Sequence, residues 1–180
     1  MSLKGYDYKK DVRFDGNVVL PYPKRRAERI LVVADKSLET KAKELNLEYK
    51  PFEELEGKNK EKQTLKKKLA LKYHSFISSP NFNSAFEVKI FNRKRKAVYV
   101  IRNPNDLQNF YNEVVKMVKF KLRKTNDLSF TVGYCEMSEE EIYSNLSTGL
   151  NFLSTLLKKG YKSLGGVVLK SCQGKPIRIY

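Results

Sequence analysis

The sequence predicts an α/β protein of two domains, with a Rossmann-like α/β domain inserted into a discontinuous outer α+β domain. Three observations predict it. Alternating, half-polar strand patterns stand at both ends of the chain. Continuous apolar runs, the pattern of strands covered on both faces of a parallel sheet, stand in the middle. Helical apolar stripes are interleaved with those runs, as in a small doubly wound unit. The boundaries fall at 1–26 with 118–180 for the outer domain and at 27–117 for the insert. Two connections, near Lys24–Arg29 and Met117–Lys119, would join them, and a paired connection acts as a hinge.

Each element has its own warrant. From Lys10 to Pro21, Val12, Phe14, Gly16, Val18 and Leu20 alternate with Arg13, Asp15 and Asn17, the period of an antiparallel strand, and Pro21-Tyr22-Pro23 ends it. Ile30–Ala34 is apolar throughout, and Ser37 is placed to cap a helix to about Leu45. Asn59 to His74 reads as a helix whose stripe is Leu65, Leu69, Tyr73 and Phe76. Ala97–Ile101 is a second buried-type strand. Pro104 opens a helix with Leu107, Phe110, Tyr111, Val114, Val115 and Val118 at helical spacing. Lys119–Arg123 and Leu128–Tyr134 alternate on either side of Thr125-Asn126-Asp127, which suggests a hairpin. Ser138 with Glu141 forms a capping box for a helix carrying Ile142, Leu146, Leu150, Leu153 and Leu157, with Lys158 and Lys159 in its last turn and Gly160 ending it.

The charge balance bounds the function. Thirty-six Lys and Arg against 20 Asp and Glu leave a formal net charge of +16 in 180 residues, which points to a polyanionic partner. No run of 18 apolar residues exists to span a bilayer, and MSLKGYDYKK lacks the apolar core of a signal peptide. Cys135 and Cys172 lie far apart and form no metal-spaced pair. They fit a reduced, intracellular protein as buried thiols.

The last residues concentrate that charge. The strand Val167–Ser171 runs into Gln173-Gly174-Lys175-Pro176, and Ile177–Tyr180 returns, which sets Lys170, Lys175 and Arg178 around one turn. Glycine there would allow a positive φ and proline would fix the chain after it. A rigid cationic turn of small residues suits close approach to a phosphate backbone. The alternative is a solubilising surface hairpin. Lys119, Lys121, Arg123 and Lys124 share one polar strand face and are further candidates for RNA contact. The seven lysines between Lys58 and Lys72 read as a solvated helix face. Tyr6 and Tyr8 could stack on bases, or pack beneath the first strand. His74, the single histidine, reads as a helix-end residue rather than a catalytic base. No nucleophile motif, catalytic carboxylate pair or phosphate-cradling glycine loop is present in the sequence.

The stretches MSLKGYDYKKDVRFDGNVVLP, Ile30–Asp35 and VGYCEMSEEEIYSNLSTGLNFLSTLLKKGYKSLGGVVLKSCQGKPIRIY resemble the universal L-one family of large-subunit ribosomal proteins in its eukaryotic form, with a weaker match in LKKKLALKYHSFISSP. The resemblance implies a two-domain α/β architecture with a discontinuous outer domain. It implies a structural role at the mobile stalk beside the tRNA exit site, binding large-subunit rRNA and assisting release of deacylated tRNA. The expected place is the cytoplasmic ribosome, with assembly in the nucleolus, beside other ribosomal components. No cofactor, metal, membrane or small-molecule substrate is expected.

The family's Ser-Thr-Met-Gly RNA-contact turn falls on Ser171-Cys172-Gln173-Gly174, where Ser171 and Gly174 match and Cys172 and Gln173 depart. Ser129, Thr131 and Gly133 would extend the same face. The family also carries a helix and strand, with some of its RNA contacts, ahead of the position of Ser2. Its glycine- and proline-rich loop is replaced here by Phe86–Lys96, where Arg93, Lys94, Arg95 and Lys96 offer a diffuse phosphate or tRNA contact. Six to ten phosphate contacts would make affinity fall by about three to five decades between 50 and 200 mM salt. Two other readings remain: a nucleolar assembly factor with the same domain, and an RNA-modifying enzyme on an α/β fold.

Overall fold

In the computed structural model, which describes residues 1–7, 10–11, 13–56, 59–80, 96–122 and 125–180, the chain divides into two compact units. One is Arg25–Val115. The other combines Met1–Lys24 with Lys116–Tyr180. The chain is a mixed α/β protein with a parallel sheet, as its patterning predicts.

Among its described residues, the contiguous unit is built on four parallel strands. In chain order they are β3 (Ile30–Ala34), β4 (Tyr49–Pro51), β5 (Ser75–Ser78) and β6 (Ala97–Val100), arranged β4-β3-β5-β6. All five residues of β3 are buried, which explains its unbroken apolar run. Helices α2 (Phe52–Leu55) and α3 (Lys60–Lys72) cover the face of Leu31, Val33, Phe76 and Val98 with Phe52, Leu55, Leu69, Ala70 and Tyr73. Ile30, Val32, Ile77 and Tyr99 alternate to the opposite face and are buried there as well. Helix α1 (Lys36–Glu44) lies against β3 and buries Leu38 and Ala42. A 3-10 turn at Pro104–Asp106 leads into α4 (Leu107–Lys116).

Several details differ from the sequence reading. Asp35, not Ser37, caps α1, because its carboxylate accepts from the Leu38 N–H at 3.1 Å while the Ser37 hydroxyl donates to the same carboxylate. Phe76 belongs to β5 rather than to the helix before it. It closes the α3 stripe from the sheet, since a position seven residues after Leu69 meets the same core. Strand β4 is a three-residue edge strand ending in Pro51, too short to show a period.

Among its described residues, the discontinuous unit contains three two-stranded antiparallel pairs and one long helix. β1 (Ser2–Leu3) pairs with β8 (Leu164–Gly166). β2 (Asp15–Val19) pairs with β7 (Met117–Lys121), and β9 (Val168–Leu169) with β10 (Ile177–Arg178). Helix α5 (Glu139–Leu156) starts in a complete capping box, with Glu141 N–H on Ser138 Oγ and the Glu141 carboxylate on Ser138 N–H. Leu3, Leu20, Phe120, Leu128, Leu153 and Val167 lie in its core. Tyr6 is buried in that core too, edge-on to Phe14, so it packs and does not stack on bases. Tyr8 lies outside the described residues.

The expected hairpin between Lys119–Arg123 and Leu128–Tyr134 does not form. β7 pairs with β2 in a continuous register from Asp15↔Lys121 to Val19↔Met117, and Leu128–Tyr134 is extended without a ladder. The backbone of that segment is used elsewhere: Leu128 N–H donates to Met1 O, and Val132 O accepts from Asn145. The first strand is correspondingly shorter than the Lys10–Pro21 pattern. Helix α5 stops at Leu156, before Lys158 and Lys159, because Leu157 turns extended into the core. Lys158 instead reaches Asp11 at 2.6 Å. Cys135 and Cys172 are exposed rather than buried, since both sit in turns.

Candidate nucleic-acid interface

β9 and β10 build the C-terminal hairpin, in register Leu169↔Ile177 and Val168↔Arg178. Bonds from Val167 N–H to Tyr180 O (2.8 Å) and from Ile179 N–H to Val167 O (2.9 Å) extend the pairing to the last residue. Lys170, Ser171, Cys172, Gln173, Lys175 and Arg178 are all exposed, with Gly174 half-buried among them. The Arg178 guanidinium donates to Tyr180 O at 3.2 Å, so its stem follows its own strand. A property the sequence reading passed over reinforces the charge. Between Ile142 and Tyr180 there is no Asp or Glu, while Lys158, Lys159, Lys162, Lys170, Lys175 and Arg178 all fall in that stretch.

The role expected of Gly174 changes. Its φ is not in the left-handed region, which among the described glycines holds Gly5 and Gly160. Gly174 is needed for space. Its N–H donates to Ser171 Oγ at 2.8 Å, and a Cβ at this position would clash with that oxygen. Gly174→Ala therefore forces Ser171 to rotate away and costs the turn its internal bond, about 1 kcal/mol. We expect roughly tenfold weaker RNA binding with the rest of the fold intact. Ser171→Ala with Gly174→Ala removes the clash and should recover part of the loss in a filter-binding titration. Equal loss in both variants would mean that the bond, not the space, matters.

Of Ser129, Thr131 and Gly133 on the extended Leu128–Tyr134 segment, Ser129 is exposed, whereas Thr131 and Gly133 are half-buried, and a Cβ on Gly133 would meet Met137 and, on α5, Ile142, so only Ser129 stands clear of the helix. Two side chains hold this segment to α5. The Phe130 ring lies so close to Gly149 that a Cβ there would come within 2.6 Å of it. Asn145, fully buried at 0 % exposure, donates to Val132 O at 2.8 Å and Tyr22 O at 3.3 Å, and accepts from Tyr22 N–H at 3.0 Å. Asn145 carries no sequence signal beyond a polar residue within an apolar helix. Asn145→Ala should lower stability by about 2–3 kcal/mol, since it strands buried backbone groups. It should also loosen Ser129–Gly133, measurable as faster amide exchange there.

The hairpin and the Ser129 segment meet through β1. Ser2 bridges to Asp127 on one side and pairs with Gly166 on the other. A shallow depression lined by Ser2, Asp127, Gly166, Val168 and Arg178 marks the join. Lys119 and Lys121 stand apart from it on the outward face of β7. Both reach Asp15 of β2, at 3.5 and 3.1 Å, so that carboxylate offsets part of their charge. Arg123 and Lys124, and with them Arg93, Lys94 and Arg95, lie outside the described residues. Lys96 is described and half-buried, immediately before β6. His74 is held by structure: its Nδ1 accepts the Arg29 N–H at 3.1 Å.

The sequence profile of the Ribosomal protein L1p/L10e family matches residues 1–175. The chain belongs to that family. Large ribosomal subunit protein uL1 of Oryza sativa subsp. japonica is 34% identical over 183 residues, covering 100% of this chain and 84% of the relative. Large ribosomal subunit protein uL1A of Schizosaccharomyces pombe is 35% identical with the same coverage, and uL1 of Encephalitozoon cuniculi is 31% identical over 181 residues, 82% of its length. Within the L1p/L10e match lie the first arm of the basic hairpin and its turn up to Lys175, the Asn145-held segment and the whole parallel sheet.

Proposed function

We propose that this chain is a structural component of the large ribosomal subunit, docked on large-subunit rRNA by the unit that carries the C-terminal hairpin. The observation that carries this reading is the exposed, carboxylate-free hairpin with Lys170, Lys175 and Arg178 around a turn where the Ser171 hydroxyl fills the space beside Gly174, in a chain of the ribosomal L1p/L10e family. A turn of that kind brings backbone and cations close to a phosphate chain. Ser129, Thr131 and Gly133 would extend the contact, with Lys119 and Lys121 as weaker participants because of Asp15. The finer reading is a place at the mobile stalk beside the tRNA exit site, with the Arg25–Val115 unit as a movable arm towards departing deacylated tRNA. Assembly in the nucleolus and residence on cytoplasmic ribosomes follow from that place.

The test is binding of the chain to a stalk-base rRNA fragment against an unrelated RNA duplex at one salt concentration. We expect a preference of about a thousandfold or more. Lys170→Ala, Lys175→Ala and Arg178→Ala together should cut binding to both RNAs. Equal affinity for the two RNAs would overturn specific docking and leave only charge attraction.

A further inference from the structure

The amino-terminal edge of the parallel sheet carries a second group of cations. Ile30 of β3 pairs with Ser75 of β5, and Ser75 pairs with Ala97 of β6. The residues immediately before them are Arg29, His74 and Lys96, so three basic side chains start from one row across three adjacent strands. Neighbouring strands are about 4.8 Å apart, which sets the row within about 10 Å. Arg25 joins from the preceding connector through its 3.1 Å ion pair with Glu28. Arg29 is exposed, while His74 and Lys96 are half-buried. The ring of His74 is fixed in one tautomer. Nδ1 accepts the Arg29 N–H, so the neutral ring carries its proton on Nε2.

We propose that this row, Arg29, His74 and Lys96 with Arg25 beside them, binds a phosphate of an RNA backbone. The inference rests on the RNA-binding reading above and adds to it a site separate from the hairpin. Among the described residues, Arg25, Arg29 and Lys96 act to lower the His74 value and Glu28 acts to raise it. Glu28 also acts on Tyr99 and Tyr111, which burial keeps protonated. Among the described residues three cations thus face one carboxylate, and a bound phosphate would relieve their repulsion.

The titration behaviour agrees. Burial, then the neighbouring arginines, holds both His74 and Lys96 below their ordinary values. In the free protein His74 is neutral at pH 7, and its share of stability is lost as pH falls below the ordinary imidazole value of about 6.5, because the unfolded chain takes the proton first. A bound phosphate reverses the sign. It raises the His74 value, so RNA should bind more tightly as pH falls through that range.

His74 is the only histidine, so its ring resonances report the site without ambiguity. The full chain is titrated from pH 5 to 8 by NMR, alone, with an unrelated 12-base-pair RNA duplex, and with inorganic phosphate, all at ionic strength matched with sodium chloride. The duplex is expected to raise the His74 pKa by about one unit. Arg29→Ala with Lys96→Ala should raise it in the free protein, abolish the response to duplex and reduce the salt slope of binding by about two. A duplex that binds the chain and leaves His74 unmoved overturns this inference and spares the RNA-binding reading. So does a response that persists in the double variant. A response to inorganic phosphate but not to duplex makes this a site for the free ion and likewise overturns it. A duplex that does not bind at all overturns both readings.

Discussion

Raising salt from 50 to 200 mM should weaken binding of this chain to rRNA by about three to five decades, the range for six to ten neutralised phosphates. The structure supplies cations for the lower end of that count. Lys170, Lys175 and Arg178 ring the hairpin, and Arg25, Arg29 and Lys96 stand at the sheet edge. Lys119 and Lys121 add less than two full charges because they share Asp15. If the hairpin acted alone, three contacts would give a slope of about −2.7 and a loss of only about fortyfold over the same interval. A filter-binding series at five or six salt concentrations separates the two cases by its slope. A loss below tenfold would leave no place for phosphate neutralisation as the main source of affinity.

Glu28→Ala should destabilise the Arg25–Val115 unit by about 3 kcal/mol. The Glu28 side chain is 1 % exposed and is held by Arg25 at 3.1 Å and by the Ser75 hydroxyl at 2.7 Å. Removing one member of a buried pair costs about 3–5 kcal/mol, and the 38 % exposure of Arg25 lets water take up part of the orphaned charge, which sets the lower end. Ser75 Oγ would be left without its acceptor at a buried position, and Arg29, His74 and Lys96 would lose the carboxylate that offsets them. Glu28→Gln keeps an acceptor for Ser75 and should lose about half as much. Amide exchange in β3, β5 and β6 measures the effect in this unit without interference from the other. Exchange unchanged in Glu28→Ala would show that Arg25 and Ser75 find water at no cost.

Much of this architecture was legible in the sequence because burial on two faces and burial on one leave different periods. Ile30–Ala34 and Ala97–Val100 announce a covered parallel sheet, and Gly16, Val18 and Leu20 announce a strand with one wet face. The capping box at Ser138 and Glu141 is a local device that needs no tertiary knowledge. Pairing partners were not legible. β7 prefers β2, about a hundred residues away in sequence, to its neighbour Leu128–Tyr134, and both carry the same alternation. The hairpin turn was placed correctly but for another reason, since the space around Gly174 depends on where the Ser171 hydroxyl folds back. The basic row at the sheet edge was invisible, because Arg29, His74 and Lys96 come together only through strand register.

The pairing of β2 with β7 also sets an order of events on the translating ribosome. Residues 15–19 leave the exit tunnel about a hundred residues before their partners 117–121, and Ser2 waits still longer for Gly166. The intervening Arg25–Val115 unit holds all four strands of its sheet within itself and has its own core, so it is complete first. Once folded, it replaces a long flexible loop by a fixed body, which removes much of the closure entropy that distant strands must otherwise overcome. Leu20 N–H on Lys116 O, and the Lys24 ammonium on Met117 O, then fasten the two crossing segments side by side. Until that moment β1 and β2 lack the strands they pair with in the folded protein, and in a nascent chain of this charge they travel beside a surface made of RNA.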